Sequence, residues 1–359
     1  MRISRSAAYA ISALAAAALL AACNGSGGSQ SYAPSGSGVT SPMAHQPFMP
    51  DHKYPGFTGS HAPVSHPAHG KTWISPDVKK APRIMFVSDY GSNVVYMYAM
   101  PDVTLKGTLY GFSGPQGMCT DGSNIYIANT NTSQILKYSR TGTLLNTLSD
   151  SGEYPTGCSF NRATGDLVVS NIINTSGGPG NLELYHGATG TPTPLTNSNQ
   201  YEYFFPTYDN AGNIYVDGFS NSFTFLLSEC PSGSSTCHNV SVSGASPFFP
   251  GGLNWNRVTS QLVVGDQECG GTLGSCWYAG TVSGSTYTVS GTTNLANTDG
   301  TGCDVDQGAL GPFGKYAGGG CIGFYSPSVS ARWAYPAGGD PNWYNSSVVE
   351  PIGAAISNK

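Results

Sequence analysis

Phe86-Val87-Ser88-Asp89 is the first of a series of short apolar segments that close on an acid or its amide. Tyr126-Ile127-Ala128-Asn129, Val168-Val169-Ser170-Asn171, Tyr215-Val216-Asp217 and Val263-Val264-Gly265-Asp266 follow, with a degenerate Tyr316-Ala317-Gly318 last. Their successive spacings are 40, 42, 46, 49 and 52 residues. A period of about 40–50 residues holds four short strands with their turns, the size of one propeller blade. A second signal recurs at the same period and reads as the innermost strand of each unit: Pro115-Gln116-Gly117, Pro155-Thr156-Gly157, Pro206-Thr207-Tyr208, Pro250-Gly251-Gly252 and Gly300-Thr301-Gly302. Turn residues such as Asp121-Gly122-Ser123-Asn124 and Asp209-Asn210-Ala211-Gly212 come next, where the chain must reverse. Strands of alternating or aromatic character, among them Val94–Tyr98, Gln134–Tyr138 and Asn181–Tyr185, supply the third strands.

The first repeat has its Asp89 segment but no Pro-x-Gly strand before it. The missing piece stands at the other end, where Pro351-Ile352-Gly353-Ala354-Ala355-Ile356 has the inner-strand pattern and no unit of its own. The reading is an all-β chain: a six-bladed β-propeller of four-stranded blades, with the inner strand of blade one supplied by the C-terminus. Such closure removes the open sheet edge that would otherwise template aggregation. The rival reading, a β-sandwich, requires both signals to recur by coincidence.

Composition suits this. Only 10% of the 359 residues are charged and 48 are Gly, which fits short strands and tight turns better than charged helices. The N-terminus reads as an export signal: Arg2 and Arg5 form a basic start, Ala7 to Leu20 an apolar core of 14 residues, and Leu20-Ala21-Ala22-Cys23 a small-residue cleavage site. The apolar core falls short of the roughly 20 residues that a spanning helix needs. Loss of this segment leaves 13 basic against 20 acidic residues, a net charge of about −7. Nothing in that charge favours an electrostatic partnership with nucleic acid or with an anionic membrane face.

Leu20-Ala21-Ala22-Cys23 resembles the lipobox of bacterial lipoproteins. The resemblance implies a diacylglycerol on the Cys23 thiol and a chain tethered to a membrane through that lipid. Asn24, being other than Asp, implies the outer membrane of a Gram-negative envelope. The domains are then a signal peptide over 1–22, a Ser/Gly/Pro/His-rich tether over 23–70 and the propeller over 71–359. The tether holds His45, His52, His61, His66 and His69, with Met43 and Met49 nearby. Imidazole and thioether suit copper, zinc or nickel, whereas the absence of a common face favours a plain solvated linker.

With Cys23 lipidated, eight cysteines remain, and an even number in an exported chain points to disulfides. Eight allow 105 connectivities. Proximity favours Cys230 with Cys237 and Cys269 with Cys276; of the three pairings open to the remaining four, the expectation is Cys119 with Cys158 and Cys303 with Cys321. A zinc site is the weaker reading, since no pair has two-residue spacing.

On the repeat signals quoted above, residues 82 to 357 resemble the NHL-type and wider six-bladed propellers, including the SMP-30/gluconolactonase-like and strictosidine-synthase-like groups. Propellers take ligands where loops converge at the channel mouth, so Asp89, Asn129, Asn171, Asp217 and Asp266 are the candidate mouth residues. Converging oxygen donors suit a divalent cation such as calcium. The gluconolactonase resemblance implies a metal held by a glutamate with Asn and Asp from other blades, and Glu350 is the nearest match to that glutamate. Asp and Asn after a strand also hydrogen-bond locally, which is a structural reading of the same positions. Other catalytic signatures are missing: there is no Gly-x-Ser-x-Gly elbow and no His-Glu-x-x-His helix, and His186 and His238 fall on outer elements.

Tyr201, Tyr203, Phe204 and Trp255, with Phe205, Phe248 and Phe249, cluster near the inner strands of blades four and five, where they either stack on a ligand or fill the wedge between sheets. Repetition without a symmetry-breaking catalytic set predicts a binding or interaction module for a neutral glycan, a peptide or a protein. The competing expectation is a metal-dependent lactonase-type hydrolase using Glu350, Asn129, Asn171 and Asp266. A purely structural envelope protein is the third.

Overall fold

The structure, a computed structural model, describes residues 70–324 and 326–358. Cys23, the 1–22 segment and the histidine-bearing stretch up to His69 lie outside the described residues. The first sheet contains β1 (Trp73–Ile74), β2 (Arg83–Asp89), β3 (Val94–Met100) and β4 (Thr104–Leu109). The second contains β5 (Pro115–Thr120), β6 (Asn124–Asn129), β7 (Gln134–Ser139) and β8 (Leu144–Ser149). The third contains β9 (Glu153–Phe160), β10 (Leu167–Asn174), β11 (Pro179–Tyr185) and β12 (Thr193–Leu195). A long fourth sheet takes β13 (Gln200–Tyr208), β14 (Ile214–Ser220), β15 (Phe225–Cys230), β16 (His238–Ser243), β17 (Pro250–Asn256), β18 (Gln261–Asp266), β19 (Ser275–Ser283) and β20 (Thr286–Leu295). The last is built from β21 (Cys303–Asp304), β22 (Ala309–Leu310), β23 (Tyr316–Gly323), β24 (Val329–Ala334) and β25 (Trp343–Asn345), and β26 (Pro351–Asn358) ends the chain. Helix among the described residues amounts to single 3₁₀ turns.

These sheets form a propeller-like ring. Contacts pass from β26 to β5, then to β9, β13, β17 and β22, and from β22 back to β26. β26 pairs antiparallel with β2, Arg83 opposite Asn358 and Asp89 opposite Pro351, so the end of the chain completes the sheet that its beginning left open. The second strands read as unbroken apolar runs because both of their faces are covered: Ile84, Met85, Phe86 and Val87 are all fully buried. Burial falls away outward, and β8 is exposed at every position but Leu148.

Five hydrogen-bonded sheets are present among the described residues. The reason is the parallel pairing of β16 with β20, Ser241 opposite Thr286, which fuses two four-stranded units along their outer edges. An outermost strand presents unpaired N–H and C=O groups, and here two such edges satisfy one another. The Gly300-Thr301-Gly302 segment is not an inner strand: it lies in the turn before β21, and the two short strands β21 and β22 pair with β23 instead. Apolar packing is divided into wedges between neighbouring sheets, such as Phe86, Val95 and Leu109 against Ile125, Ile127 and Tyr138. Four disulfides are formed: Cys119–Cys158 between β5 and β9, Cys230–Cys237, Cys269–Cys276, and Cys303–Cys321 between β21 and β23.

Inner strands approach one another too closely for side chains on the facing positions. A Cβ on Gly117 would run into the Thr156 carbonyl, and one on Gly353 into the Gln116 carbonyl. This is the physical content of the Pro-x-Gly signal. Deleting residues 351–359 exposes the buried edge of β2 and opens the ring, so the truncated chain is expected to lose its cooperative thermal transition. Melting like that of the full-length chain would count against closure by the C-terminal strand.

Candidate functional site

Each sheet has a proline face, where inner strands begin and second strands end, and a hairpin face, where inner strands turn into second strands. The candidate mouth residues lie on the proline face and mostly hold the inner strand of their own unit. Asp89 accepts the N–H groups of Val349 at 2.9 Å and Glu350 at 2.8 Å, the two residues before Pro351. Asp266 does the same for Phe248 and Phe249 before Pro250, at 3.0 Å each, and also accepts Gly270 N–H at 2.7 Å. Asn129 Oδ1 accepts Ser113 N–H at 2.8 Å, and Asp217 Oδ1 accepts Phe205 N–H at 2.9 Å. Asn171 departs from the pattern, its amide donating to Asn181 Oδ1 at 2.8 Å. For Asp89, Asn129 and Asp266 a proline stands directly opposite: it has no N–H for the ladder, and amides before it turn to the side chain across the pair.

The seryl position of the repeat also faces inward. Ser88 Oγ accepts Gly353 N–H at 2.8 Å and donates to Gln116 O at 2.7 Å, stitching β26 to β5. Ser170 Oγ donates to Phe204 O in the same way. The second unit has Ala128 there, and Thr130 Oγ1 takes over by donating to Pro155 O at 2.6 Å.

Around these anchors the proline face gathers carboxylates without a basic partner. Burial, with the charges of Asp306 and Asp89, pushes the Glu350 carboxyl up to about 8. Burial also raises Asp304, with Asp306, Glu268 and Asp266 adding repulsion, and raises Asp306. On the neighbouring edge burial, and then repulsion from Asp150, pushes Glu153 and Glu183 up to about 7, and burial pushes Asp150 up to about 6. The described residues assemble no site for the divalent cation implied by the gluconolactonase resemblance. Asp89, Asn129 and Asp266 already have their side-chain oxygens on backbone amides, and among the described residues no three His, Cys, Asp or Glu side chains are grouped to hold a metal ion. No step through a metal is derived.

The open cavity lies at the other end of the axis, on the hairpin face. It has a volume of about 260 Å³ and is lined by the closing residues of β5, β9, β13, β17, β22 and β26. Gln307 crosses beneath it, accepting Met118 N–H at 2.7 Å and donating to Met118 O at 3.1 Å, while its own N–H donates to Ile352 O at 3.0 Å. Phe160, Trp255, Arg162 and Arg257 stand on its wall. Both arginines come from the same local device. Asn161 Oδ1 accepts Ala163 N–H at 3.0 Å and Asn256 Oδ1 accepts Val258 N–H at 3.1 Å, so each asparagine builds a turn and sets the following arginine at its tip. Burial, and then the charge of Arg162, lowers the affinity of the Arg257 guanidinium for its proton.

Residue-type reasoning at the strand ends missed this cavity. The available signal was a second-order repeat: Phe160-Asn161-Arg162-Ala163-Thr164 and Trp255-Asn256-Arg257-Val258-Thr259 share the pattern aromatic-Asn-Arg-x-Thr, two units apart. Of the expected aromatic surface, Trp255 alone lines the cavity. Tyr203 and Phe204 are fully buried, a correction with a clear packing cause. Tyr203 Oη is bonded to Asn197, and Phe204 makes edge-on contacts with Phe205, Phe219 and Phe249. Tyr201 is half-buried against Phe223, with its hydroxyl on Gly177 O at 2.8 Å.

The raised carboxyls set the sign of the pH response. They are neutral in both states below about pH 4, the ordinary carboxylate range. Between there and about pH 8 the unfolded chain ionises while the folded chain keeps its protons, so stability is lost as pH rises through the folded values. Thermal melts at constant ionic strength should show a more stable body at pH 5 than at pH 8.5, and Glu350→Gln should flatten part of that slope. A melting temperature that climbs over this range would contradict the assignment.

No protein-family model and no curated protein matches the sequence. Solved structures do resemble the fold. A chain from the crystal structure of a nidogen/laminin complex aligns over 77% of this chain and 98% of its own, with TM-score 0.52 and 11% identity. A protein of unknown function from Bacteroides caccae aligns over 78% and 100%, with TM-score 0.56 and 11% identity. TolB from Acinetobacter baumannii aligns over 80% and 68%, with TM-score 0.55 and 12% identity. At such identities the likeness shows the fold alone, a β-propeller.

Proposed function

We propose that the chain is an envelope-anchored, six-bladed β-propeller lipoprotein that acts as a binding module, taking a peptide or protein segment into the cavity on the hairpin face. The observation that carries this is the cavity itself. Inner strands from around the ring converge on it, their positions fixed by backbone bonds and disulfides, so it is a concave site on a rigid support. One similar structure comes from a protein–protein complex, which is compatible with such use. The count of six rests on dividing the eight-stranded sheet at the β16–β20 pairing, and on the cycle of inner strands β26, β5, β9, β13, β17 and β22. The anchor rests on Leu20-Ala21-Ala22-Cys23, with Asn24 directing the protein to the outer membrane.

Two measurements test the two halves. Metabolic labelling with a fatty-acid precursor should mark the wild-type protein and not Cys23→Ser; equal labelling rejects the anchor. For the cavity, a panel of short peptides is screened by thermal shift against the mature chain and against Ala309→Trp and Pro312→Trp, which fill the cavity from its rim. A stabilising peptide whose shift disappears in either folded variant supports the module, because a ligand stabilises only the state that binds it. Absence of any stabiliser, or shifts that survive both substitutions, rejects it.

A further inference from the structure

Among the described residues every arginine lies toward the hairpin face. Arg83 opens β2, Arg140 sits in the β7–β8 turn, Arg162 and Arg257 in the β9–β10 and β17–β18 turns, and Arg332 late in β24, where its Nη1 donates to Pro101 O. Three of the five have duties in the fold or on its surface. Arg140 Nη2 donates to Ala81 O at 2.7 Å, Arg332 holds Pro101, and Arg83 lies over the Phe313 ring at 4.8 Å. Arg162 and Arg257 differ: both line the cavity, and among the described residues neither has an ion-pair partner.

Acids do stand on neighbouring turns of this face, yet they are engaged elsewhere. Asp121 accepts Ser123 and Asn124 N–H on Oδ1 and the Asn124 amide on Oδ2. Asp209 accepts Ala211 and Asn213 N–H on Oδ1 and the Asn213 amide on Oδ2. These turns also show that the hairpin does not need arginine, since Gly122 and Asn210 follow the turn-forming acid where Arg162 and Arg257 follow asparagine. Two like charges are thus brought to one small cavity, with no ion-pair partner among the described residues, beside the side chains of Phe160 and Trp255.

We infer that the hairpin-face cavity is an anion site, in which Arg162 and Arg257 receive an oxyanion group, carboxylate or phosphate, while the Phe160 and Trp255 side chains on its wall contact the part of the ligand that bears it. The inference rests on the binding-module reading above and gives its ligand a charge. Guanidinium forks suit planar or tetrahedral oxyanions through paired charge-assisted hydrogen bonds, and a cluster of like charges at a concave mouth draws such groups in from solution. It also replaces the neutral ligand expected from low overall charge: a chain with a net negative charge here carries a local positive one.

The test is calorimetric titration of the mature chain with a tetraglutamate peptide, with inorganic phosphate and with a tetraglutamine peptide as the neutral control. Tetraglutamate or phosphate should bind, more weakly as salt rises, and tetraglutamine should not. Arg162→Gln and Arg257→Gln should each lower the affinity about tenfold, the order expected for losing one charge-assisted bond, while Arg140→Gln should leave it unchanged. Preference for one anion over the other identifies the group as carboxylate or phosphate. No binding of either anion, or binding indifferent to both arginines, overturns the inference. A neutral peptide that binds, is blocked by Ala309→Trp and ignores both arginine substitutions overturns the anion site while leaving the binding module standing.

Discussion

The ring depends on one recurring contact, a side-chain oxygen at the end of a second strand accepting amides from the residues that lead into the inner strand beside it. Proline in that inner strand contributes no donor, and a buried acid supplies a partner for the amides just before it. Such charge-assisted bonds are each worth about 1.5–3 kcal/mol, and leaving a buried donor unpaired costs a similar amount. Asp89 has the largest consequence, because its partners, Val349 and Glu350, are some 260 residues away in sequence, and its grip sets the register of the closing strand.

From that contact follows the division of labour between the two faces. The proline face is filled with acids that hold backbone or sit buried among one another, and its axial packing is aromatic, with Phe204, Phe205, Phe219 and Phe249 gathered beside Ile352. On the hairpin face the inner strands diverge into turns, and the turns are where side chains come free of the ladder. The same repeat that makes one face structural therefore leaves the other available.

Much of the fold was legible because it is periodic. The Phe86–Asp89 pattern and its successors mark strands buried on both sides, and the glycines of Pro-x-Gly mark inner strands too close for a Cβ; both are constraints that each unit must meet separately. Legibility failed where a unit meets them in another way. Gly300-Thr301-Gly302 has the right composition and the wrong place, because Cys303–Asp304 and Ala309–Leu310 share the inner position and Gln307 makes the crossing bonds that one continuous strand would make. The β16–β20 pairing was equally hidden, since edge-to-edge hydrogen bonding between backbones leaves no requirement on side-chain type. The strand-end acids were singled out with two duties open, a cation site and hydrogen bonding to nearby backbone, because a buried Asp that binds a cation and one that binds amides look alike in sequence; the structure shows the amides that Asp89 and Asp266 hold.

The site itself was the least legible part, and for a physical reason. A structural residue repeats with the blades, whereas a binding residue has to break the repeat, so a search for recurrence selects against it. Arg162 and Arg257 escape through a partial exception: their turns recur twice, because asparagine solves the turn, and the arginine rides on that solution. Substituting either arginine leaves the asparagine's bonds, the ladder and the disulfide Cys119–Cys158 beneath the cavity untouched. That separation of scaffold from charge is what a rigid ring offers to recognition: its mouth can change its chemistry at two positions while every contact that closes the ring stays in place.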